Sequence, residues 1–261
     1  MKPWEHPVPP VLYKYLPPER LHALADCRVR FSQRTVFEDD HELEPDFAIF
    51  GTESEIWRYA ISIGFQLSRN GLPAGVIVQA LASNPEAQKS AIQNLRQNTP
   101  VVDELGSLCL TDAPDSERMW MEYAKNSTGF VLAFDTNHRG FSTLLKGQGH
   151  VGKMSYSDEP FGSALGTILG DEGAGVLFRK RTKYSFEREW RIIRMLKRLE
   201  RLPGGLFLSE FDPGSVAQVI IRPQCTVNLE LQQLVTTDAR YKHLEIKSNP
   251  SPPVNCEACL N

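Results

Sequence analysis

The hydrophobic pattern divides the chain into short apolar runs and one longer region of helical periodicity. Between about 56 and 98, apolar residues recur every three or four positions, which predicts two or three helices. Short apolar or alternating runs predict strands at 11–16, 29–32, 107–111, 130–134, 189–194 and 216–221. These strands do not alternate regularly with helices. The pattern therefore favours an α+β fold with a split or twisted, mixed or antiparallel sheet over a doubly wound one.

The same pattern predicts a single α+β domain over residues 1–247, with the helical region at about 56–98 as an insert packed outside the sheet. A proline- and cysteine-containing tail at 248–261 is expected to be disordered. Cys256 and Cys259 in this tail have no second Cys or His pair nearby. The acidic loop at 37–44 offers only adjacent side chains, which rarely converge on one ion. We therefore predict no metal site.

Composition limits the class of protein. The chain has 261 residues, of which 41% are hydrophobic and 23% charged, enough to bury a sizeable core. No run approaches the roughly 18 apolar residues that a membrane span needs, and the N-terminus lacks the apolar stretch of a secretion signal. Five cysteines form no even framework, which is typical of free thiols in a reducing compartment. We expect a cytoplasmic protein that does not contact a membrane.

Charge is concentrated between Arg179 and Arg201. This stretch holds ten Lys or Arg against three Glu, a local charge of +7 in a chain whose net charge is −3. Within it, Glu187 and Glu189 lie two residues apart, and in an extended chain such residues point to the same face. Two carboxylates among cations suit the stabilisation of a sugar-like cation beside bound phosphates. A salt-bridged, solvated face beside a strand is the alternative interpretation.

An ordered set of motifs across about 11–235 resembles a bacterial family classified as a domain of unknown function. The motifs are Leu12–Tyr15, Arg30–Ser32, Leu108–Thr111, Met119–Trp120 with Tyr123–Ala124, Gly129–Phe130, Phe134–Asp135, Lys180 with Glu187–Arg191, and Val219–Ile221. At 37–42 this chain has Phe-Glu-Asp-Asp-His-Glu where the family usually has Phe-Asn-Asp-Pro-Phe-Glu. The family's frequent association with phage defence or abortive infection implies a toxic or sensing role.

The order of the same residues is more distantly similar to that of ADP-ribosyltransferases, which are also α+β proteins. This resemblance implies that NAD is a co-substrate. It also implies that Lys14 or Tyr15 stands where those enzymes usually carry His or Arg, and that Ser32 or Tyr123 stands where they carry Ser or Tyr. It implies that Glu189 binds a ribose hydroxyl and stabilises the cation left by nicotinamide, while Glu187 handles the acceptor, a protein or a nucleic acid. The implied catalytic residues are Glu189, Glu187, Tyr123 and Lys14. The implied cofactor-binding residues are Tyr15, Ser32, Trp120, Lys180, Arg181 and Arg191.

Two other functions are open from the sequence. Basic residues interleaved with Tyr184, Phe186 and Trp190 would suit phosphate contacts and base stacking in a nucleic-acid-binding or nucleic-acid-cleaving effector. Alternatively, the charged residues hold together a non-catalytic sensor or interaction domain. The sequence leaves the oligomeric state open.

Overall fold

The computed structural model describes residues 2–37, 46–66, 73–98, 103–145, 149–169 and 171–249. Most of the acidic loop and the tail from Pro250 onward lie outside the described residues, and so does the predicted disorder of that tail. In the described ranges, no helix combines the length and hydrophobicity that a membrane span requires.

The strands and helices are numbered in chain order. The strands are β1 (Val11–Leu16), β2 (Arg28–Gln33), β3 (Phe47–Ile49), β4 (Leu105–Thr111), β5 (Phe130–Asp135), β6 (His150–Lys153), β7 (Ser155–Tyr156), β8 (Phe161–Ser163), β9 (Arg179–Lys180), β10 (Glu189–Met195), β11 (Glu200–Arg201), β12 (Phe207–Glu210), β13 (Val216–Ile221) and β14 (Glu245–Ser248). The helices are α1 (His22–Ala25), α2 (Glu53–Gln66), α3 (Ala74–Ser83), α4 (Pro85–Asn98), α5 (Glu117–Glu122), α6 (Ser142–Leu145), α7 (Ala164–Leu169) and α8 (Asn228–Thr237).

One ten-stranded sheet forms the centre of the molecule, in the order β11-β12-β2-β4-β1-β5-β13-β14, with β10 paired to β4 and β6 paired to β10. Its pairings are antiparallel except for β13 with β14. All the strands predicted from the sequence belong to this sheet. The predicted α+β class and the predominantly antiparallel sheet are therefore confirmed.

The sheet splits at β4. One edge of β4 pairs with β10 along its whole length. On the other edge, β1 pairs only at the end of β4, where Tyr13 lies opposite Thr111, and β2 pairs only near its start, where Ser32 lies opposite Ser107. Because β1 and β2 diverge between these points, the middle of β4 faces an opening rather than a neighbouring strand.

Successive side chains along each strand point to opposite faces of the sheet, and apolar side chains are packed on both faces. On one face Leu12, Leu108 and Trp190 belong to the largest core cluster. On the other face Tyr15 and Val131 pack against α5. Helices α2, α3 and α4 share a separate cluster with α7, so the predicted helical insert has its own small core and begins slightly earlier than predicted, at α2.

Candidate functional site

A cavity of about 260 Å³ opens at the split in the sheet. Its walls come from β1, β2 and β4, the end of α5, the start of β10, and the short 3₁₀ helix Thr182–Glu187. These elements lie far apart in the sequence, and the divergence of β1 from β2 leaves the space between them. The predicted site residues that line the cavity are Lys14, Tyr15, Ser32, Tyr123, Lys180, Glu187 and Glu189.

The centre of the site is a lysine between two glutamates. Lys180 Nζ lies 2.7 Å from Glu187 Oε2 and 2.9 Å from Glu189 Oε2. All three side chains are buried. Arg191 Nε donates to Glu189 Oε1 at 2.9 Å, so Glu189 lies between two cations. Buried charges are stable only when paired in this way, and the cluster meets that requirement.

Strand alternation does not explain why the side chains of Glu187 and Glu189 lie close together. Glu189 is the first residue of β10, and it shares a face with Arg191 because Trp190 and Ile192 point into the main core. Glu187 instead ends the 3₁₀ helix, and Arg188 follows in a left-handed conformation with φ of 44°. The expectation that an extended chain brings both carboxylates together is therefore wrong, although the carboxylates do meet.

Tyr123 connects Glu187 to the exposed side of the cavity. Its hydroxyl donates to Glu187 Oε1 at 2.5 Å, while 40% of the residue remains exposed. Tyr123 directly follows α5, whose N-terminus is capped by the Ser116 hydroxyl, which accepts from Met119 N. The position of α5 on the sheet therefore sets the position of this hydroxyl.

Trp120 fixes α5 to the sheet and does not line the cavity. It is fully buried, its ring meets Tyr15 edge to face at 5.3 Å, and the Arg222 guanidinium lies 4.7 Å from the ring centre. Arg222 in turn pairs with Glu117 on the same helix. Tyr15 and Arg222 both pack against the Trp120 ring, and the predicted contact of Trp120 with a cofactor stays a prediction. Its role is to hold α5, and with it Tyr123, in place.

Arg191 and Arg181 also lie outside the cavity. Arg191 is completely buried, and besides Glu189 it donates to the Leu177 carbonyl at 2.9 Å. In this arrangement it secures Glu189, and its predicted contact with a pyrophosphate stays a prediction. Arg181 lines a second cavity beside the first, which shares Lys180 with it.

Lys14 occupies the opening between β1 and β2. Leu12 and Leu16, two positions before and after Lys14 in β1, face the main core. The Lys14 Nζ donates to the backbone carbonyl of Cys109 at 2.8 Å. This carbonyl belongs to the part of β4 that neither β1 nor β2 pairs with. The lysine thus satisfies a backbone group that the split in the sheet would leave without a partner.

The two carboxylates differ in their electrostatics. Burial raises the pKa of Glu187, and the neighbouring charge of Glu189 adds to this increase despite Lys180. Burial also opposes ionisation of Glu189, but Arg191 and Lys180 outweigh it and hold the pKa of Glu189 far below its ordinary value. Titratable pairs whose pKa values are driven apart are typical of sites that separate an acid–base group from a permanently charged one.

Other cavity groups also have shifted pKa values. Burial, with a contribution from the charge of Lys180, lowers the pKa of Lys14. Burial and the Glu187 carboxylate raise the pKa of Tyr123, so its hydroxyl remains a donor to Glu187. Burial and Glu189 raise the pKa of Cys109 to about 12, which keeps this group a thiol.

Several residues of this site were not among the predicted catalytic and cofactor-binding residues, including Cys109, Tyr184 and Tyr156. Cys109 lines the cavity, and strand alternation opposite Leu108 and Leu110 was a signal for it. Tyr184 also lines the cavity, with Lys180 Nζ 5.3 Å from its ring centre. The hydroxyl of Tyr156 accepts from the backbone N–H of Glu189 at 2.7 Å. No local pattern connects Tyr156 with Glu189, because their contact depends on the fold.

Three of the ten basic residues between Arg179 and Arg201 are directed inward. Lys180, Arg191 and Arg194 are buried, and Arg194 donates to Ser209 Oγ at 2.6 Å. Arg188 pairs with Asp112 at 2.6 Å. The local excess of positive charge is therefore partly used inside the fold, which weakens its interpretation as a nucleic-acid surface.

Comparison with known proteins gives no relative: no family model, curated protein or solved structure matches this chain.

Proposed function

We propose that this protein is an NAD-consuming enzyme of the ADP-ribosyltransferase type, acting as a transferase or as an NAD glycohydrolase. The proposal rests chiefly on one observation: Glu187, Glu189, Tyr123 and Lys14 line a single cavity at the split of a mainly antiparallel sheet. Two carboxylates with opposite pKa shifts suit a reaction that passes through a sugar cation and transfers a proton to or from an acceptor.

The size of the cavity fits the half of NAD that contains the reacting bond. Its volume of about 260 Å³ is just below the range of about 300–1,000 Å³ that is usual for ligand pockets. Nicotinamide with its ribose suits this space better than a whole dinucleotide does. The half-buried rings of Tyr13 and Tyr184 offer stacking surfaces for a flat heterocycle.

Glu189 is the candidate for contact with the ribose. It stays ionised, and among the described residues its buried Oε2 has the ion pair with Lys180 but no well-aligned hydrogen-bond donor. A ribose hydroxyl donating to this oxygen would supply that hydrogen bond. The fixed carboxylate would then stabilise positive charge on the ribose as nicotinamide leaves.

Glu187 and Tyr123 are the candidates for proton transfer. Their hydrogen bond of 2.5 Å joins a carboxyl with a raised pKa to a hydroxyl at the exposed edge of the cavity. A general base works best when its pKa lies near the operating pH, and the shift of Glu187 is in that direction. We assign to this pair the activation of a protein or nucleic-acid acceptor.

The test is nicotinamide release from NAD by the purified protein. The wild type is expected to release nicotinamide, and Glu189→Gln is expected to lower the rate by a factor of about 10²–10³. Glu122→Gln is the matched control, since Glu122 is exposed, pairs with the exposed Arg118 and is adjacent to Tyr123. Circular dichroism must show that each variant is folded under the assay conditions. No release by the wild type, or full activity in folded Glu189→Gln, would contradict the proposal.

We also propose that this activity has a toxic role in bacterial defence, and the same variants test it. Expression of the wild type in bacteria is expected to slow growth through NAD loss or acceptor modification, and Glu189→Gln is expected to relieve this effect. Equal toxicity of both proteins would mean that the effect on growth does not depend on Glu189. Salt-dependent binding to RNA or DNA without NAD turnover would favour the nucleic-acid alternative instead.

A further inference from the structure

The two lysines of the cavity have different partners. Lys180 lies within ion-pair distance of both Glu187 and Glu189. Lys14 Nζ has one neutral acceptor, the Cys109 carbonyl, and among the described residues no carboxylate lies within ion-pair distance of it. The two glutamates therefore hold Lys180 as a cation at contact distance, whereas they act on Lys14 only from beyond ion-pair distance.

The single hydrogen bond of Lys14 is compatible with an uncharged amine. A backbone carbonyl only accepts, so an –NH₂ group donates to Cys109 O as well as an –NH₃⁺ group does and keeps its lone pair free. Burial lowers the pKa of Lys14 and the charge of Lys180 acts in the same direction, while Cys109, Glu189 and Glu187 act against them without reversing the shift. Desolvation and a second cation are the two conditions that activate lysine as a nucleophile.

The residues around Lys14 supply what a condensation at this amine requires. The cavity gives a small ligand access to Lys14, and Tyr123 and Glu187 line the same space. Glu187 has a raised pKa and lines the same cavity as Lys14, so its carboxyl is placed to exchange a proton with the leaving oxygen.

We propose that Lys14 forms an imine with the aldehyde of a ring-opened sugar bound in this cavity. The Nζ lone pair attacks C1 of the open-chain sugar, forming a C–N bond, and a proton moves from nitrogen to the former carbonyl oxygen. Glu187 then protonates that oxygen, the C–O bond breaks and water leaves. The iminium that remains gives its N–H proton back to the Glu187 carboxylate, which yields the neutral imine. Amine and aldehyde thus become imine and water, with no change in oxidation state.

The choice of sugar rests on the proposed function, because NAD hydrolysis yields ADP-ribose, whose C1 carries an aldehyde in the open form. The chemistry of Lys14 does not depend on that choice. A ribose 5-phosphate probe presents the same aldehyde without the adenylate.

The test is reductive trapping followed by mass spectrometry. The wild-type protein is incubated with ADP-ribose, and separately with ribose 5-phosphate, in the presence of sodium cyanoborohydride, and modified peptides are mapped. Lys14 is expected to be modified at least tenfold faster than the exposed Lys89 and Lys125. Lys14→Arg is expected to lose the fast adduct, and Glu187→Gln is expected to slow its formation. Mapping in the wild type remains decisive if either variant fails to fold.

Modification confined to surface lysines, or as fast in folded Lys14→Arg as in the wild type, would overturn the proposal. Because the aldehyde is added directly, no NAD cleavage is needed. Trapping at Lys14 without nicotinamide release would support the imine and remove the NAD proposal, whereas nicotinamide release without trapping would do the reverse.

Discussion

Glu189→Gln is expected to lower the free energy of unfolding by about 3 kcal/mol. Glu189 is 2% exposed, and its two oxygens face Arg191 and Lys180, both at 2.9 Å. Removing one member of a buried ion pair typically costs about 3–5 kcal/mol, because the remaining charge stays buried without compensation. The loss falls at the lower end here, because glutamine keeps a carbonyl oxygen for Arg191 and Lys180 keeps Glu187.

Urea unfolding followed by circular dichroism measures this loss. Glu122→Gln is again the matched control, since its exposed pair with Arg118 is expected to contribute less than about 1 kcal/mol. A Glu189→Gln protein within about 0.5 kcal/mol of the wild type would refute the reasoning, since surface changes alone reach that size. It would mean that Arg191 and Lys180 find other compensation, so that Glu189 does not hold the cluster together.

Further predictions follow from the same contacts. The folded-state pKa of Glu189 is depressed, so its contribution to stability is present above the ordinary Glu pKa of about 4.3 and is lost as pH falls below it; acid unfolding curves of Glu189→Gln should therefore be flatter than those of the wild type. Gly129→Ala should lower the free energy of unfolding by about 1–3 kcal/mol, because a Cβ there would overlap the Leu16 carbonyl. Gly162→Ala is the control, since the space around Gly162 is open and its thermal unfolding midpoint should change little. Equal midpoints for the two variants would contradict this prediction. Trp120→Ala should destabilise by about 3–5 kcal/mol and should also shift Tyr123, detectable as a weakened pH dependence of any activity.

The sheet could be predicted because its strands carry local signals. Phe130–Asp135 and Val216–Ile221 are apolar runs long enough for buried strands, and they pair with each other in the structure. The order of the strands had no such signal. The split at β4 depends on where β1 and β2 end their pairing, and no local pattern in the sequence specifies that.

The residues that belong to the site could be predicted from the sequence better than their arrangement. Glu187, Glu189 and Lys180 come from one charged stretch, so their proximity was accessible from the sequence. Their arrangement was not, since the left-handed Arg188 redirects the chain between the two glutamates. Burial separates Arg191 and Trp120 from the cavity, and side-chain type alone could not distinguish a buried partner from a ligand contact.

The central claim is that the two glutamates have separate roles in one cavity, and the ratio of acceptor modification to nicotinamide release tests it most directly. Both quantities are measured in the same reaction for the wild type, Glu189→Gln and Glu187→Gln. We predict that Glu189→Gln lowers both by the same factor, whereas Glu187→Gln retains nicotinamide release and loses acceptor modification. If the wild type releases no nicotinamide, or if the two variants lower both quantities in the same proportion, the division of roles is contradicted.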